Sequence, residues 1–396
     1  MILVKLIFYL ISPIIFVIIV FLSPLITIRI YFLSSERIGE WVYQIEKYHL
    51  IEKKNKKIFD IFFTGSKISN SFYLKLIKKD IFCINGIFIA PVFRILNFFS
   101  KYFNFFNKFL LGKNFKLDDL KNKNLVFTEA NLFTSLSEED IEKGNSFLRT
   151  LGINKNDKIV LLYVRDNQYL KKEFLDKDFS YHDYRDSDIN AFIPSIEEIT
   201  KKNYYVFRVG KSLKEELKLN NQKFIDYSFL YRNDFLDLFL SYRCSFIVTT
   251  TGGFDALPSC VFRKPSLIIN GVPPLPVILN FYSQCIYSLK IFYDQNQKKY
   301  LKLSELFKKD ISNLYSTDQY INKNIKLVAN SSDNIKDIVL EFIYKYENNI
   351  IHKCSSSQKK IFEILSKNLN FDESLHESKP RISEEFLKQN QYFISD

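Results

Sequence analysis

Apolar and polar positions alternate most regularly between Asn156 and Asn270. Ile159–Val164 is an unbroken apolar run, as expected of a strand buried on both faces. Ile189, Phe192, Ile193, Ile196 and Ile199 recur at helical spacing and predict a helix over Ile189–Lys202. Tyr204–Val209 reads as a second strand ending at Gly210, and Lys223–Tyr227 as a short third. Phe235, Leu238 and Phe239 share one face of a predicted helix, Asp234–Tyr242. A fourth strand, Ser245–Thr249, runs into the turn Thr250-Thr251-Gly252-Gly253, a helix over Phe254–Phe262 and a fifth strand, Pro265–Asn270. Strands alternating with helices in this way predict an α/β fold with a doubly wound parallel sheet. Farther on, Ser331–Tyr346 reads as a helix with its cap in Asn330–Asp333, and the rest to Asp396 as a polar helical tail.

The other strong pattern lies at the start. Leu6–Ile28 contains no charged residue and, as a single helix, would be about 35 Å long, enough to cross a bilayer. Pro13 and Pro24 leave a re-entrant or interfacial hairpin open. A cleaved signal peptide is the competing reading, but only Lys5 precedes the stretch and no A-x-A site follows. A membrane anchor is expected. Arg29, Arg37 and Lys47 place more positive charge after the stretch than before it, which puts the body on the cytoplasmic face of an inner membrane. Between residues 34 and 150 the apolar segments Ile58–Phe63, Ile81–Phe93 and Phe98–Leu111 read as a smaller, less regular α/β region. Phe98–Leu111 is either a helix at a membrane surface or plain core. The expected organisation is an anchor over 1–33, an N-terminal domain over 34–150, a C-terminal domain over 151–346 and the tail over 347–396.

Composition removes several function classes. With 47% hydrophobic and 16% aromatic residues the chain is not disordered. The net charge of +12 accompanies a general excess of Lys, Asn, Ile and Phe, with no Arg-rich tract or nucleic-acid motif, so no nucleic-acid partner is expected. Cys83, Cys244, Cys260, Cys285 and Cys354 never form C-x-x-C, which argues against a disulfide framework or a Cys-type zinc site and fits a reducing compartment. The four histidines are far apart, and H-E-x-x-H and G-x-S-x-G are both absent.

A doubly wound sheet binds its ligand at the carboxyl ends of the strands. That edge holds Arg165 and Asp166 after the first strand, Arg208, Gly210 and Lys211 after the second, and Asp226 and Tyr227 after the third. Thr249, Thr250, Thr251, Gly252 and Gly253 follow the fourth, Asn270 and Gly271 the fifth. Glycines let backbone amides approach an anion, and a following helix N-terminus adds partial positive charge. The threonine turn therefore reads as an anion cradle, or as a tight turn capped by Thr251. Arg165 could fork onto a diphosphate, or form a salt bridge with Asp166 or Asp188. Asp186-Ser187-Asp188 is a D-x-D spacing that could hold a divalent cation, but an acidic loop capping the next helix is the expected reading. His182 is the histidine near this edge, expected to be a loop residue without a catalytic role. No metal site and no cofactor are expected.

Several segments occur in a series: Leu162–Leu170 with Arg165 and Asp166, Tyr184-Arg185-Asp186-Ser187-Asp188-Ile189, Val206–Gly210, Ile225-Asp226-Tyr227, Asp234–Leu240 and Ser245–Gly253. This series, with Ala329–Ser332 and Ile382–Leu387, resembles a family of bacterial glycosyltransferases often found with surface-polysaccharide genes. The match covers roughly residues 125–390. The resemblance implies two facing Rossmann-like domains (a GT-B-like architecture), metal-independent chemistry and a distant kinship with O-fucosyltransferases. In those relatives an Arg after the first strand and a Ser/Thr-rich turn contact the donor diphosphate; the matching positions are Arg165 and Thr249–Thr251. Arg185 and Asp188, inside the shared motif, join the donor-binding candidates. Arg37-Ile38-Gly39-Glu40 resembles a loop in which the family carries Ile-Gly-His, so Glu40 takes the place of a histidine. It is the candidate general base, with a plain juxtamembrane loop as the alternative. The implied activity is inverting transfer of a sugar from a nucleotide-diphospho-sugar to a surface-glycan or lipid-linked acceptor. The alternative is a non-catalytic, membrane-anchored nucleotide- or sugar-binding protein that kept the fold and lost the base.

Overall fold

The computed structural model describes residues 2–51, 56–111, 132–273 with 275 and 279, 284–369 and 379–395. The chain divides into two compact units; the described part of the first runs to Leu111 and includes Phe133–Ser135, and that of the second takes Leu132 and continues from Leu136.

The first unit is built on a parallel sheet, β1 (Thr27–Leu33), β2 (Ile58–Thr64) and β3 (Cys83–Asn85), in that spatial order. Among the described residues four helices accompany it: α1 (Ile2–Leu22), α2 (Ile38–Ile51), α3 (Ser71–Ile77) and α4 (Gly86–Phe99). Arg29 and Asp60, directly opposite in the β1–β2 register, are joined by two hydrogen bonds of 2.6 and 2.7 Å. Ile19 of α1, Ile30, Phe63, Val92, Leu96 and Phe109 form one core.

This corrects the expectation of one helix over Leu6–Ile28. The helix ends at Leu22, the chain turns through Ser23–Leu25, and the remaining residues enter β1. Pro24 has no amide to continue a helix, while pairing with β2 satisfies the backbone from Thr27 onward. Among the described residues no helix is long and apolar enough to cross a membrane. Nor is residue 33 a boundary: Ile30 and Leu33 are wholly buried, so residues 27–33 belong to the first unit's core.

Among its described residues the second unit carries one sheet of seven parallel strands. They are β4 (Lys158–Tyr163), β5 (Tyr204–Arg208), β6 (Phe224–Ile225), β7 (Phe246–Thr249), β8 (Ser266–Gly271), β9 (Cys285–Leu289) and β13 (Arg381–Ile382). Their order is β13-β9-β8-β7-β4-β5-β6. The chain starts at β4, steps outward through β5 and β6, then returns to lay β7 on the other side of β4. The order therefore reverses between β4 and β7. A separate antiparallel sheet joins β10 (Ile291–Asp294) to β11 (Lys299–Tyr300) and β12 (Ile325–Val328).

The five strands expected from the sequence are β4–β8; β9 and β13 extend them. The expected helices are α6 (Ile193–Lys201), preceded by a 3-10 turn over Ile189–Phe192, α7 (Asp234–Arg243) and α8 (Ser332–Glu347). Two expectations differ. Phe254–Phe262 is reduced to a single π-helical turn, Leu257–Val261. The third strand stops at Ile225, leaving Asp226 and Tyr227 in the connection beyond it. The boundary at residue 150 also moves. α5 (Glu138–Thr150), with a Ser137–Asp140 capping box, packs on α7 so closely that a Cβ on Gly144 would lie 2.1 Å from the Phe239 ring.

Candidate functional site

In such sheets the ligand crevice lies outside the carboxyl ends of the strands where the order reverses, here β4 and β7. Tyr163 and Thr249 face each other at the last paired position of these strands, so the residues following them are neighbours in space. The Arg165 amide donates to Thr250 Oγ1 at 2.8 Å, and the Thr250 amide to the Tyr163 carbonyl at 3.1 Å. The sequence-predicted arginine and threonine turn thus meet directly.

The turn is sterically constrained. Thr251 adopts φ +60, a conformation unfavourable for a β-branched residue. A Cβ on Gly252 would lie 1.9 Å from the Tyr163 ring, so only glycine fits beneath that aromatic. The polar groups of the turn are largely engaged within the protein. Asp255, 1% exposed, accepts from Thr249 Oγ1 at 3.1 Å and from the Gly252 amide at 3.2 Å. Thr251 Oγ1 donates to the Thr250 carbonyl. A buried carboxylate therefore occupies the position an anion was expected to take inside the turn, and the single π turn that follows supplies no regular helix N-terminus.

The positive charge of the crevice comes instead from three side chains. Arg165, 5% exposed, donates to the His182 carbonyl at 3.2 Å and is ion-paired with Asp186. Burial, followed by the nearby Arg185 charge, holds its guanidinium below its ordinary range. Arg185 donates to the Thr251 carbonyl at 2.6 Å, which ties this second cation to the turn. The third is Lys290, just past β9, whose Nζ donates to the carbonyls of Tyr184 at 2.9 Å and Asp186 at 2.7 Å. Burial lowers its pKa to about 8, against the opposing pull of Asp186. Burial likewise raises Asp186 to about 6 in spite of Arg165. Three cations thus gather around Asp186, with Asp183 and Asp166 also within its electrostatic reach, and Asp186 is the carboxylate a stronger external anion would displace from Arg165.

The remaining candidates have other partners. Asp166 accepts from the amides of Gln168 and Lys214, both at 3.0 Å, and so fixes two loops. Asp188 caps the 3-10 turn by accepting from the Asn190 amide at 2.9 Å. The ion-pair partner of Arg165 is therefore Asp186, where the alternative salt-bridge reading named Asp166 or Asp188. Arg208 and Asp226 form a buried pair at 2.9 Å, and the Asp226 Oδ2 also accepts from the Leu217 amide at 2.7 Å. Gly210 sits at φ +138 against Leu213 and Tyr163. Lys211 reaches Glu173 at 3.4 Å. The Tyr227 hydroxyl lies 2.8 Å from Asp237, a carboxyl that burial raises to about 6. Gly253 adjoins the turn and is half-buried. Asn270, at φ +55, accepts from the amide and side chain of Asn330, both at 2.8 Å.

In the first unit Glu40 lies in the first turn of α2. It accepts from Ser34 Oγ at 3.0 Å and is ion-paired with Arg37. Lys290 was missed by the sequence reading because β9 was not recognised there. The signal was present: Cys285–Leu289 is a buried five-residue strand followed directly by a lysine, which places that lysine at the carboxyl edge.

No protein-family model matches the chain, and no curated protein matches it. Among solved structures, the E. coli ADP-heptose lipopolysaccharide heptosyltransferase II is similar at 10% identity, with 66% of this chain and 90% of that chain covered and a TM-score of 0.39. A family 9 glycosyl transferase from Veillonella parvula is similar at 10% identity, with coverages of 74% and 95% and a TM-score of 0.43.

Proposed function

We propose that the protein is a glycosyltransferase that binds a nucleotide-diphospho-sugar in the crevice between β4 and β7. It passes the sugar, with inversion and without a divalent metal, to a surface-glycan or lipid-linked acceptor on the cytoplasmic side. The observation that carries this reading is the convergence of Arg165, Arg185 and Lys290 on the one edge where the strand order reverses. A diphosphate would replace Asp186 as the partner of Arg165, and the same cations would stabilise the charge growing on the departing nucleotide. The test is incubation of the full chain with a panel of nucleotide-sugars, reading the melting temperature and release of nucleoside diphosphate. A donor that raises the melting temperature and is turned over supports the proposal; no shift and no release with any donor overturns it.

The two displaced pKa values predict a pH profile for donor affinity. A nucleotide-sugar diphosphate has no titration of its own near neutrality, so the protein sets the shape. Below about 6 Asp186 gains a proton and stops competing for Arg165, so affinity rises as pH falls through that value. Above about 8 Lys290 loses its proton and the crevice loses a charge, so affinity falls. Titration calorimetry across this range should give two limbs. Asp186→Asn should remove the acid limb and Lys290→Met the alkaline one.

A second reading, binding without turnover, is favoured by one observation: both Glu40 oxygens are already engaged by Ser34 and Arg37. Glu40→Gln separates the two readings. As general base its loss should lower kcat about 10²–10⁴-fold with donor affinity unchanged. An unaltered kcat would leave Glu40 as a local contact in the first turn of α2.

A further inference from the structure

α1 has two apolar faces and the first unit covers only one of them. Ile19 is buried in the sheet core, with Ile15, Phe16 and Val20 packed against it. Phe16 stacks between Phe99 of α4 and Phe106 of the following 3-10 helix, Asn104–Phe109. On the opposite side Leu10, Ile14, Val17 and Phe21, spaced three and four apart, are 60–82% exposed, and Leu25 continues the stripe at 76%. Phe98, Tyr102, Phe103 and Phe105 add exposed aromatic surface from the elements packed beside α1. So large an apolar face exceeds what an isolated soluble surface normally carries.

The charges around this face identify what covers it. Leu6–Ile28 has none, and Gly86–Leu111 has Arg94, Lys101 and Lys108 with no carboxylate. A second copy of the same face would bring like charges together; an anionic lipid surface complements them. The charges also fix the orientation of the helix. Arg94 is bonded to the Tyr9 hydroxyl near the start of α1, and Lys108 reaches Ser23 Oγ at 3.2 Å just past its end. In a helix standing across a bilayer the Tyr9 level would draw a guanidinium toward the hydrocarbon, which is costly. In a helix lying flat, both cations reach the headgroups while the apolar stripe dips below them.

We propose that α1, α4 and the aromatic 3-10 helix form a monotopic docking face that seats the first unit on an anionic bilayer, with α1 lying in the plane of the interface. Flotation of the full chain with vesicles of phosphatidylcholine, with and without phosphatidylglycerol, measures the docking. Binding should favour the anionic vesicles. Arg94→Gln, Lys101→Gln and Lys108→Gln should each lower that partition coefficient about fivefold. Leu10→Glu combined with Phe21→Glu should lower it tenfold or more on either vesicle. Both residues are exposed, and a melting curve confirms that the fold survives.

Depth measurement distinguishes the orientations. With Cys354, the exposed cysteine among the described residues, replaced by Ser, nitroxides are placed at Leu10→Cys, Ile14→Cys and Phe21→Cys. A flat helix puts all three at one shallow depth, whereas a spanning helix separates Leu10 from Phe21 by about 16 Å. Equal depths support the proposal. Unequal depths overturn it in favour of a span. Failure to float, together with a dimer by light scattering, overturns it in favour of self-association.

Discussion

Arg165→Ala should lower the affinity for nucleoside diphosphate roughly tenfold to a hundredfold, because a charged hydrogen bond contributes about 1.5–3 kcal/mol. The guanidinium lies at the reversal of strand order, its amide is bonded to the threonine turn and its side chain is paired with Asp186. Truncation would do more than remove a ligand contact: Asp186 would remain beside Lys290 without its main partner. A fall in melting temperature is therefore expected as well, partly relieved in Arg165→Ala/Asp186→Asn. Arg165→Lys should recover only part of the affinity, since an ammonium lacks the planar fork. Thr250→Val should lower affinity tenfold or less, because Thr250 Oγ1 acts by holding the Arg165 amide. Titration calorimetry of the folded variants with UDP, GDP and CDP gives the affinities. A wild-type affinity in Arg165→Ala would move the diphosphate away from this crevice.

Arg208→Met should have the opposite profile, a large loss of stability with little change in diphosphate affinity. Arg208 and Asp226 are 2% and 3% exposed, and the guanidinium also donates to the Glu215 carbonyl at 2.8 Å. Breaking such a pair by removing one member leaves a buried charge uncompensated, a cost of about 3–5 kcal/mol. Asp226 already has one oxygen, Oδ1, without a hydrogen-bond partner among the described residues, so it has little reserve. Replacing both members, as in Arg208→Met/Asp226→Leu, should restore much of the stability. Denaturant unfolding supplies the stabilities. A diphosphate affinity that collapses in a folded Arg208→Met would return Arg208 to the binding site.

These variants also mark what the sequence could disclose. Strands β4, β5, β7 and β8 were legible because each is covered on both faces and therefore reads as an apolar run. From their alternation with helices followed the carboxyl edge, and with it Arg165 beside Thr250. Choice of partner was not legible. Arg165, Arg208 and Asp226 all sit at the same edge, yet which cation meets a carboxylate there depends on how the connecting loops fold back. Asp186 reaches Arg165 through the loop that Lys290 holds by its carbonyls, and nothing in residue spacing encodes that closure. β1 was hidden for another reason. The uncharged stretch that holds α1 runs on to Ile28, already inside β1, and within it Ser23-Pro24 marks the change from helix to strand. The two-residue β13 gave no periodic signal at all.

That last strand carries a consequence for biosynthesis. Arg381 and Ile382 pair with Ile286 and Tyr287 of β9, almost a hundred positions earlier. Gln358 grips both backbone groups of Ile382, and Glu341 accepts from the Ser383 hydroxyl and the amides of Glu384 and Glu385. What reads as a tail is the closing edge of the central sheet. A ribosome must therefore synthesise almost a hundred residues beyond β9 before that strand finds its outer neighbour. Until then the nascent chain exposes the unpaired outer edge of a strand that is wholly buried in the finished fold, the kind of edge that is prone to wrong pairing. A stop codon placed before Arg381 would act as a folding lesion of the second unit, not as the loss of an appendage.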